Sequence, residues 1–186
     1  MLFGSRGGFG LEFHLDRDPG LLCVDVFLGG RRVNAQDNAF YPPLLVKKLA
    51  DELARHREPA VPPDGFTTPP ESYRRAEQGR YAEAGPGGRE ELTRYAFLEW
   101  GECTDDVLAF AFPDGDRLHL ACRLRTDGGP AWGTEPRHGP TVATVDRAAF
   151  VRTLEHALAA AHEWSVRRLA PRAPERTTDG TDSADS

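Results

Sequence analysis

The alternation of side chains between residues 117 and 125 constrains the fold more than any other feature of the sequence. Leu118, Leu120, Cys122 and Leu124 alternate with polar or small residues, which is the period of a strand that buries one face and exposes the other. A Pro-Asp-Gly-Asp turn at 113–116 and a second β-rich run at 106–112 precede this strand. Residues 106–125 therefore predict an antiparallel hairpin with one buried and one solvated face.

The N-terminal part of the chain predicts a second hairpin. Residues 11–15 alternate apolar and polar side chains, and the turn-forming residues 16–20 follow them. The second arm runs from Leu22 to Leu28, and Gly29-Gly30 favours a tight turn into a short third strand at 31–34. Two further strands are predicted at 95–100 and 141–145.

Two segments have helical periodicity. Pro42-Pro43 suits a first helical turn, and leucines recur every four residues from there to about Arg57, so the opposite side of this helix should be solvated. That solvated side is expected to hold Lys47, Lys48, Asp51, Glu52 and Arg55. Asp146 is placed to cap a longer helix from about Arg147 to Leu169. Its predicted buried stripe consists of Phe150, Leu154, Leu158, Ala161 and Trp164.

Together these elements predict an α+β fold. We expect one antiparallel sheet of about five to six strands, packed by two main helices, with a long Pro/Gly-rich loop at 58–90 that holds a short helix near 71–78. A length of 186 residues fits a single domain, which we place at residues 1–170. Residues 171–186 contain no large apolar side chain, so they are expected to form a disordered acidic tail.

Charge and apolar patterning exclude several classes of function. A formal net charge of −6 disfavours a nucleic-acid partner, because phosphate binding needs a concentrated basic surface. No apolar run approaches the roughly 20 residues that cross a bilayer, and the N-terminus lacks the pattern of a signal peptide. We therefore expect a cytoplasmic location without membrane contact, and reduced thiols at Cys23, Cys103 and Cys122.

The sequence contains no recognisable catalytic, metal or cofactor motif. The glycines at 4–10 precede a strand rather than a helix, the six histidines have no metal-ligand spacing, and no serine lies in a nucleophile elbow. Each histidine is expected to be a solvated surface residue, His14 and His119 on the polar faces of their strands. Cys103 is the thiol expected to be exposed, so an enzyme with an unfamiliar site around Cys103, His119 and nearby acidic residues stays open as an alternative.

Acidic residues concentrate at two predicted strand connections. Carboxylates at a turn can be ordinary turn chemistry, bind a divalent cation or face a basic protein partner, and an aromatic residue nearby can anchor such a partner. Trp100 alternates with Leu98 and is expected in the core. The candidate partner-binding residues are Glu99, Glu102, Asp105, Asp106, Asp114, Asp116 and Trp132.

The opening Leu2-Phe3-Gly4, followed by residues 9–13, resembles a family of immunity proteins from bacterial polymorphic toxin systems. The Gly-Gly turn after the second strand and residues 97–102 extend the likeness. The resemblance implies a non-enzymatic protein-binding module that neutralises a cognate toxin by covering its active site. It carries no catalytic residue over, and it leaves the oligomeric state open. Besides the enzyme, the alternative is an oligomeric scaffold component, for which an exposed apolar stripe on the last helix would be the sign.

Overall fold

The computed structural model describes residues 1–34, 37–58, 61–63, 65–81, 94–125 and 139–169. The predicted α+β class is confirmed, with antiparallel strands and three helices. The strands, however, divide into two sheets. The acidic tail predicted at 171–186 lies outside the described residues. In the part of the chain that is described, no helix is both long and apolar enough to span a membrane.

Sheet 1 is built from the N-terminal hairpin. Its strands are β1 (Leu2–Gly4), β2 (Phe9–His14), β3 (Leu22–Leu28), β4 (Arg31–Arg32) and β5 (Ala39–Phe40). They pair in the order β1-β2-β3-β4, and β5 also pairs with β3. Leu11 lies opposite Val26, and Phe13 lies opposite Val24, so the alternation of both strands directs their apolar side chains to one face.

Sheet 2 contains β6 (Ala96–Phe97), β7 (Val107–Asp114), β8 (Arg117–Leu124) and β9 (Thr141–Asp146), paired in that order. The predicted hairpin at 106–125 is confirmed as β7 and β8. The two sheets approach each other without pairing at Gly29, the residue directly after β3. A Cβ on this residue, whose φ is +59°, would lie 2.9 Å from Cγ2 of Thr141 in β9, so only glycine fits there.

The helices are α1 (Pro42–Arg57), α2 (Pro69–Tyr81) and α3 (Arg147–Leu169). The Asp146 cap is confirmed, because its Oδ1 accepts a hydrogen bond from the backbone N–H of Ala149 at 2.7 Å. α1 packs along α3, and α3 also packs on β1 and β2. Phe150 of α3 lies 4.8 Å from Phe9 and 5.6 Å from Phe97, ring centre to ring centre, so one core joins both sheets and these two helices.

The prediction that β8 exposes its second face was wrong. Ala121 and Arg123 are buried there, because α2 covers this side of sheet 2. Tyr73 of α2 packs edge-on against Phe110 at 5.5 Å and helps to form a second, smaller core. Arg123 forms a buried ion pair with Glu77 of α2, so the charge on this face is matched by the helix that covers it.

Glu52 was predicted on the solvated side of α1 and is instead buried, at 3% exposure. Its Oε1 accepts a hydrogen bond from the indole N–H of Trp100 at 3.4 Å. Its Oε2 lies 3.6 Å from Nη1 of Arg55 and 3.5 Å from Nε2 of His56. The polar contacts of Trp100 and of these neighbours explain why a carboxylate is tolerated at this position.

Candidate protein-binding site

Four of the predicted site residues lie in the segment between β6 and β7, residues 98–106, which we call the β6–β7 connection. The backbone turns sharply here: Leu98 has a φ of +61°, and Gly101 has a φ of +96°. A short 3-10 turn, Glu102–Thr104, follows. Leucine in the left-handed region is strained, and such strain often accompanies functional segments.

Trp100 fixes this connection to the core. It is 1% exposed, as expected, and its ring packs edge-on against Phe40 and Phe97. Its backbone N–H donates to Oγ1 of Thr104 at 3.0 Å, and that hydroxyl donates to the carbonyl of Gly101 at 3.0 Å. The connection is therefore held from inside while its acidic side chains point to solvent.

Two carboxylates of the connection are already paired. Arg80 of α2 donates to Oε1 of Glu99 at 2.7 Å, and Arg125 lies 3.0 Å from Oδ1 of Asp106. Glu102 and Asp105 are exposed. Within the described ranges, neither of them lies in an ion pair. The charge available to a partner at this connection is therefore that of Glu102 and Asp105.

The structure separates the remaining predicted residues from this group. Asp114 ends β7 and Asp116 lies in the turn that follows, so both lie at the far end of an eight-residue strand that spans about 23 Å at 3.3 Å per residue. Asp114 contacts Nε2 of His119 at 3.3 Å. Trp132 lies outside the described residues. The acidic residues of the β6–β7 connection and those at the end of β7 therefore do not form one compact patch.

A half-open cavity of about 330 Å³ lies beside the connection. Apolar side chains, including Leu98 and Leu108, line part of the cavity, and charged side chains of both signs lie around them. The polar groups therefore do not converge on one point, as they would in an active site. The lining residues that carry charge are Lys48, Arg80, Glu99 and Asp105.

Cys103 is half-buried rather than exposed. Burial, reinforced by the charge and hydrogen bond of the Asp37 carboxylate, raises the pKa of its thiol to about 12. A thiol with that pKa carries very little thiolate at neutral pH and is a poor nucleophile.

His119 is also less solvated than predicted, since its side chain is 12% exposed. Phe66 stacks on the imidazole at 5.7 Å, and the ring nitrogens contact Oγ1 of Thr144 at 2.9 Å and the carboxylate of Asp114 at 3.3 Å. Cys103 instead contacts Asp37. Among the residues that the structure describes, no shared contact joins His119 to Cys103, as a common active site would require.

Sequence reasoning missed two exposed hydrophobic residues at the start of α1. Tyr41 is 62% exposed, and Leu44, one helical turn later, is 38% exposed. Leu44 approaches the connection closely, because a Cβ on Gly101 would lie 3.3 Å from its Cδ2. The available signal was the position of Tyr41 immediately before Pro42-Pro43, where the chain is forced into an extended conformation and cannot fold the side chain into the helix.

A group with metal-ligand spacing lies on the polar face of sheet 1. Ligand atoms of Glu12, His14 and Asp25 come within 4.8 Å of one another. Nη2 of Arg6 lies 2.7 Å from Glu12, and Nη1 of Arg32 lies 3.3 Å from Asp25. The two arginines supply the positive charge that a cation would bring, so this group is a closed ion-pair network. Its signal in the sequence was Glu-x-His on β2 opposite an Asp on β3.

Burial alone would raise the pKa of Asp25, but hydrogen bonds from Asn38 and His14 and the charge of Arg32 lower it overall. The carboxylate is therefore held ionised although it is nearly inaccessible to water. This network stabilises the β2–β3 hairpin on the face opposite to the core.

No known protein-family model matches the sequence, and no curated protein matches it. A solved structure does match: CdiI from Burkholderia dolosa, a contact-dependent inhibition immunity protein. The two share 14% sequence identity and a TM-score of 0.53, over 86% of this chain and 99% of that one. At this identity the likeness shows a common fold.

Proposed function

We propose that this protein is a non-enzymatic immunity protein that binds a bacterial toxin and occludes the toxin's active site. The observation that carries the proposal is the fold shared with CdiI across 86% of the chain. The N-terminal motif, Leu2-Phe3-Gly4 and residues 9–13, points to immunity proteins independently of that match. The toxin would be met in the cytoplasm, where this chain is expected to reside.

The chemistry of the surface favours binding over catalysis. The cavity beside the β6–β7 connection is half-open and lined by charges of both signs, the thiol of Cys103 is protonated at neutral pH, and His119 is engaged by neighbouring side chains. The apolar stripe of α3 is largely buried against the core, with only Val166 as a large exposed hydrophobic among its described residues, which weakens the scaffold alternative.

The exposed carboxylates of the connection suit a basic toxin surface. An active site that handles anionic substrates is positively charged, and a carboxylate cluster placed over it would accelerate encounter and compete with the substrate. The on-rate of the complex should then fall as ionic strength rises, because salt screens exposed charges beyond about 8–10 Å.

The test is co-expression with the toxin encoded by the adjacent gene, in a bacterial host whose growth that toxin arrests. The proposal predicts that the wild-type chain restores growth. Phe150→Asp, which places a charge in the core at a 2% exposed site, is the matched unfolded control and should not restore it.

Titration of the purified toxin's activity distinguishes binding from catalysis. A binding protein abolishes the activity at one equivalent and leaves the toxin chemically unchanged. Inhibition far below one equivalent, with covalent modification of the toxin, would establish an enzyme instead. Failure to rescue growth and to inhibit at any ratio would refute the immunity function.

A further inference from the structure

We infer that the toxin-docking surface is centred on Tyr41 and Leu44 at the start of α1, with Asp37, Glu102 and Asp105 as its acidic rim. We call these five residues the α1 docking patch. The partner it fits is a basic protein surface that contains an apolar pocket. This inference rests on the proposed function. It locates the toxin-binding surface, which the acidic residues predicted from the sequence do not do alone.

The apolar centre of the patch is held rigidly. Tyr41 has a φ of −68° and a ψ of 116°, and the two prolines that follow fix the chain leading out of it. Its carbonyl accepts the first hydrogen bond of α1, from Leu45 at 3.0 Å. Binding therefore requires little ordering of the backbone, which is a main cost of association.

Aromatic side chains are over-represented among the residues that dominate interface energetics. An exposed tyrosine one helical turn from an exposed leucine is therefore an effective anchor. Six large hydrophobics are exposed in the described ranges, Tyr41 and Leu44 among them. The residues around Tyr41 touch the connection: the ring of Phe40 packs on Trp100, and Leu44 approaches Gly101.

The rim carries an unbalanced negative charge. Asp37 lies beside Cys103 of the connection and accepts a hydrogen bond from the backbone N–H of Ala39 at 3.0 Å. In the portion of the chain that is described, no basic side chain forms an ion pair with Asp37, Glu102 or Asp105. The nearby Lys47 is paired with Asp51 at 2.6 Å, so Lys48 is the neighbouring cation that remains.

The Gly101 backbone joins the two halves of the patch. Because its φ is +96° and it has no side chain, Leu44 can lie directly against the connection. Leu44 thus lies against the connection that carries Glu102 and Asp105, and Asp37, which precedes β5, is hydrogen-bonded to Cys103 of the same connection.

The experiment measures association of the purified toxin with the wild-type chain and single variants by biolayer interferometry, at about 50 and 500 mM salt, a range over which screening changes strongly. Tyr41→Ala should weaken the affinity by about tenfold or more, mainly through faster dissociation. Glu102→Arg should slow association about five- to tenfold at low salt, and the difference should shrink at high salt.

Two matched controls change the same chemistry elsewhere. Val166→Ala removes an exposed hydrophobic from α3, and Asp16→Arg makes the same charge reversal in the β2–β3 turn. Both should bind within about twofold of wild type, since isolated surface positions outside an interface contribute little. Thermal unfolding of every variant establishes that the fold is intact.

The outcomes separate the two proposals. If the wild-type chain binds the toxin but Tyr41→Ala and Glu102→Arg bind equally well, the location is wrong and the immunity function stands. If the wild-type chain neither binds nor inhibits the toxin, the function fails, and this assignment of the partner fails with it. If Tyr41→Ala converts a wild-type dimer to monomers without affecting toxin binding, the patch joins two copies of this chain and the inference is overturned.

Discussion

Replacing Trp100 by phenylalanine tests the anchoring of the β6–β7 connection. Phenylalanine keeps most of the ring packing against Phe40 and Phe97 but removes the indole N–H that reaches Glu52 at 3.4 Å. A hydrogen bond to a charged acceptor contributes about 1.5–3 kcal/mol, and the length of this one favours the lower value. The smaller ring leaves a void of about 40 Å³, which costs about 1 kcal/mol at 24 cal/mol per Å³.

The expected loss of unfolding free energy is therefore about 2.5 kcal/mol, or about 5–10 °C in Tm for a domain of this size. Urea unfolding followed by far-ultraviolet circular dichroism measures it without relying on tryptophan fluorescence. Trp164→Phe is the matched control, because its indole donates to a neutral acceptor, the carbonyl of Leu15, at 3.1 Å. It should cost about 1 kcal/mol less, since hydrogen bonds to neutral groups contribute less.

A double-mutant cycle isolates the contact itself. In a Glu52→Gln background, Trp100→Phe should cost about 1 kcal/mol less than in wild type, because the charged acceptor is gone. If the two substitutions are additive within about 0.3 kcal/mol, or if Trp164→Phe proves as costly as Trp100→Phe, the indole does not stabilise the buried carboxylate and the anchoring argument is wrong.

Three further outcomes follow from other contacts. Asp25→Asn should destabilise the protein at pH 7, because folding lowers the pKa of Asp25 from 3.8. The stabilisation by the Asp25 carboxylate is present above pH 3.8 and is lost as the pH falls through the lower folded-state pKa. The difference in urea midpoint between the variant and the wild type should therefore vanish in strong acid. Gly101→Ala should cost about 1–3 kcal/mol in the same assay, because a φ of +96° with a ψ of −160° is adopted essentially only by glycine and the new methyl group meets Leu44; a neutral result would show that the connection readjusts. Cys103 should react with a thiol reagent at pH 8 at least about tenfold more slowly in the folded than in the urea-unfolded protein, since burial raises its pKa from 9.0 to about 12; equal rates would contradict that environment.

The hairpins and the long helices could be predicted because local periodicity determines them. Pro42-Pro43 and the leucine repeat fixed the bounds of α1, and the Asp146 cap fixed the start of α3. Each of these helices buries a single stripe of side chains, so the sequence of the helix alone is sufficient to predict it. The separation of the strands into two sheets was not predictable in this way, because pairing depends on which edges meet in space.

The second face of β8 shows where local pattern fails. Ala121 is small and Arg123 is charged, so the alternation looks like that of a half-exposed strand. Burial of this face depends on α2. The residues with which α2 covers it, Tyr73, Ala76 and Glu77, do not form an apolar stripe that the sequence would reveal. An ion pair between Arg123 and Glu77 replaces apolar packing, and a pair formed over this sequence distance leaves no local signature.

The same limit applies to the site. Exposed acidic residues were evident from composition and turn chemistry, but their separation along β7 and the apolar centre at Tyr41 depend on tertiary structure. Tyr41 lies 60 positions before Gly101 in the sequence. A surface assembled from two distant segments can be identified only once the segments are placed.

Helix α1 connects the stability of the fold to the proposed binding surface. Tyr41 caps its N-terminus, Leu44 lies in its first turn, and Glu52, about two turns further on, accepts the hydrogen bond from the indole of Trp100. Trp100 in turn fixes the connection that bears Glu102 and Asp105. A loss of this buried contact should therefore loosen the acidic rim relative to the apolar centre, and it should weaken toxin binding through the rim alone. Trp100→Phe and Tyr41→Ala are thus expected to differ in kind: the first lowers both stability and association rate, whereas the second raises the dissociation rate of a fully stable protein.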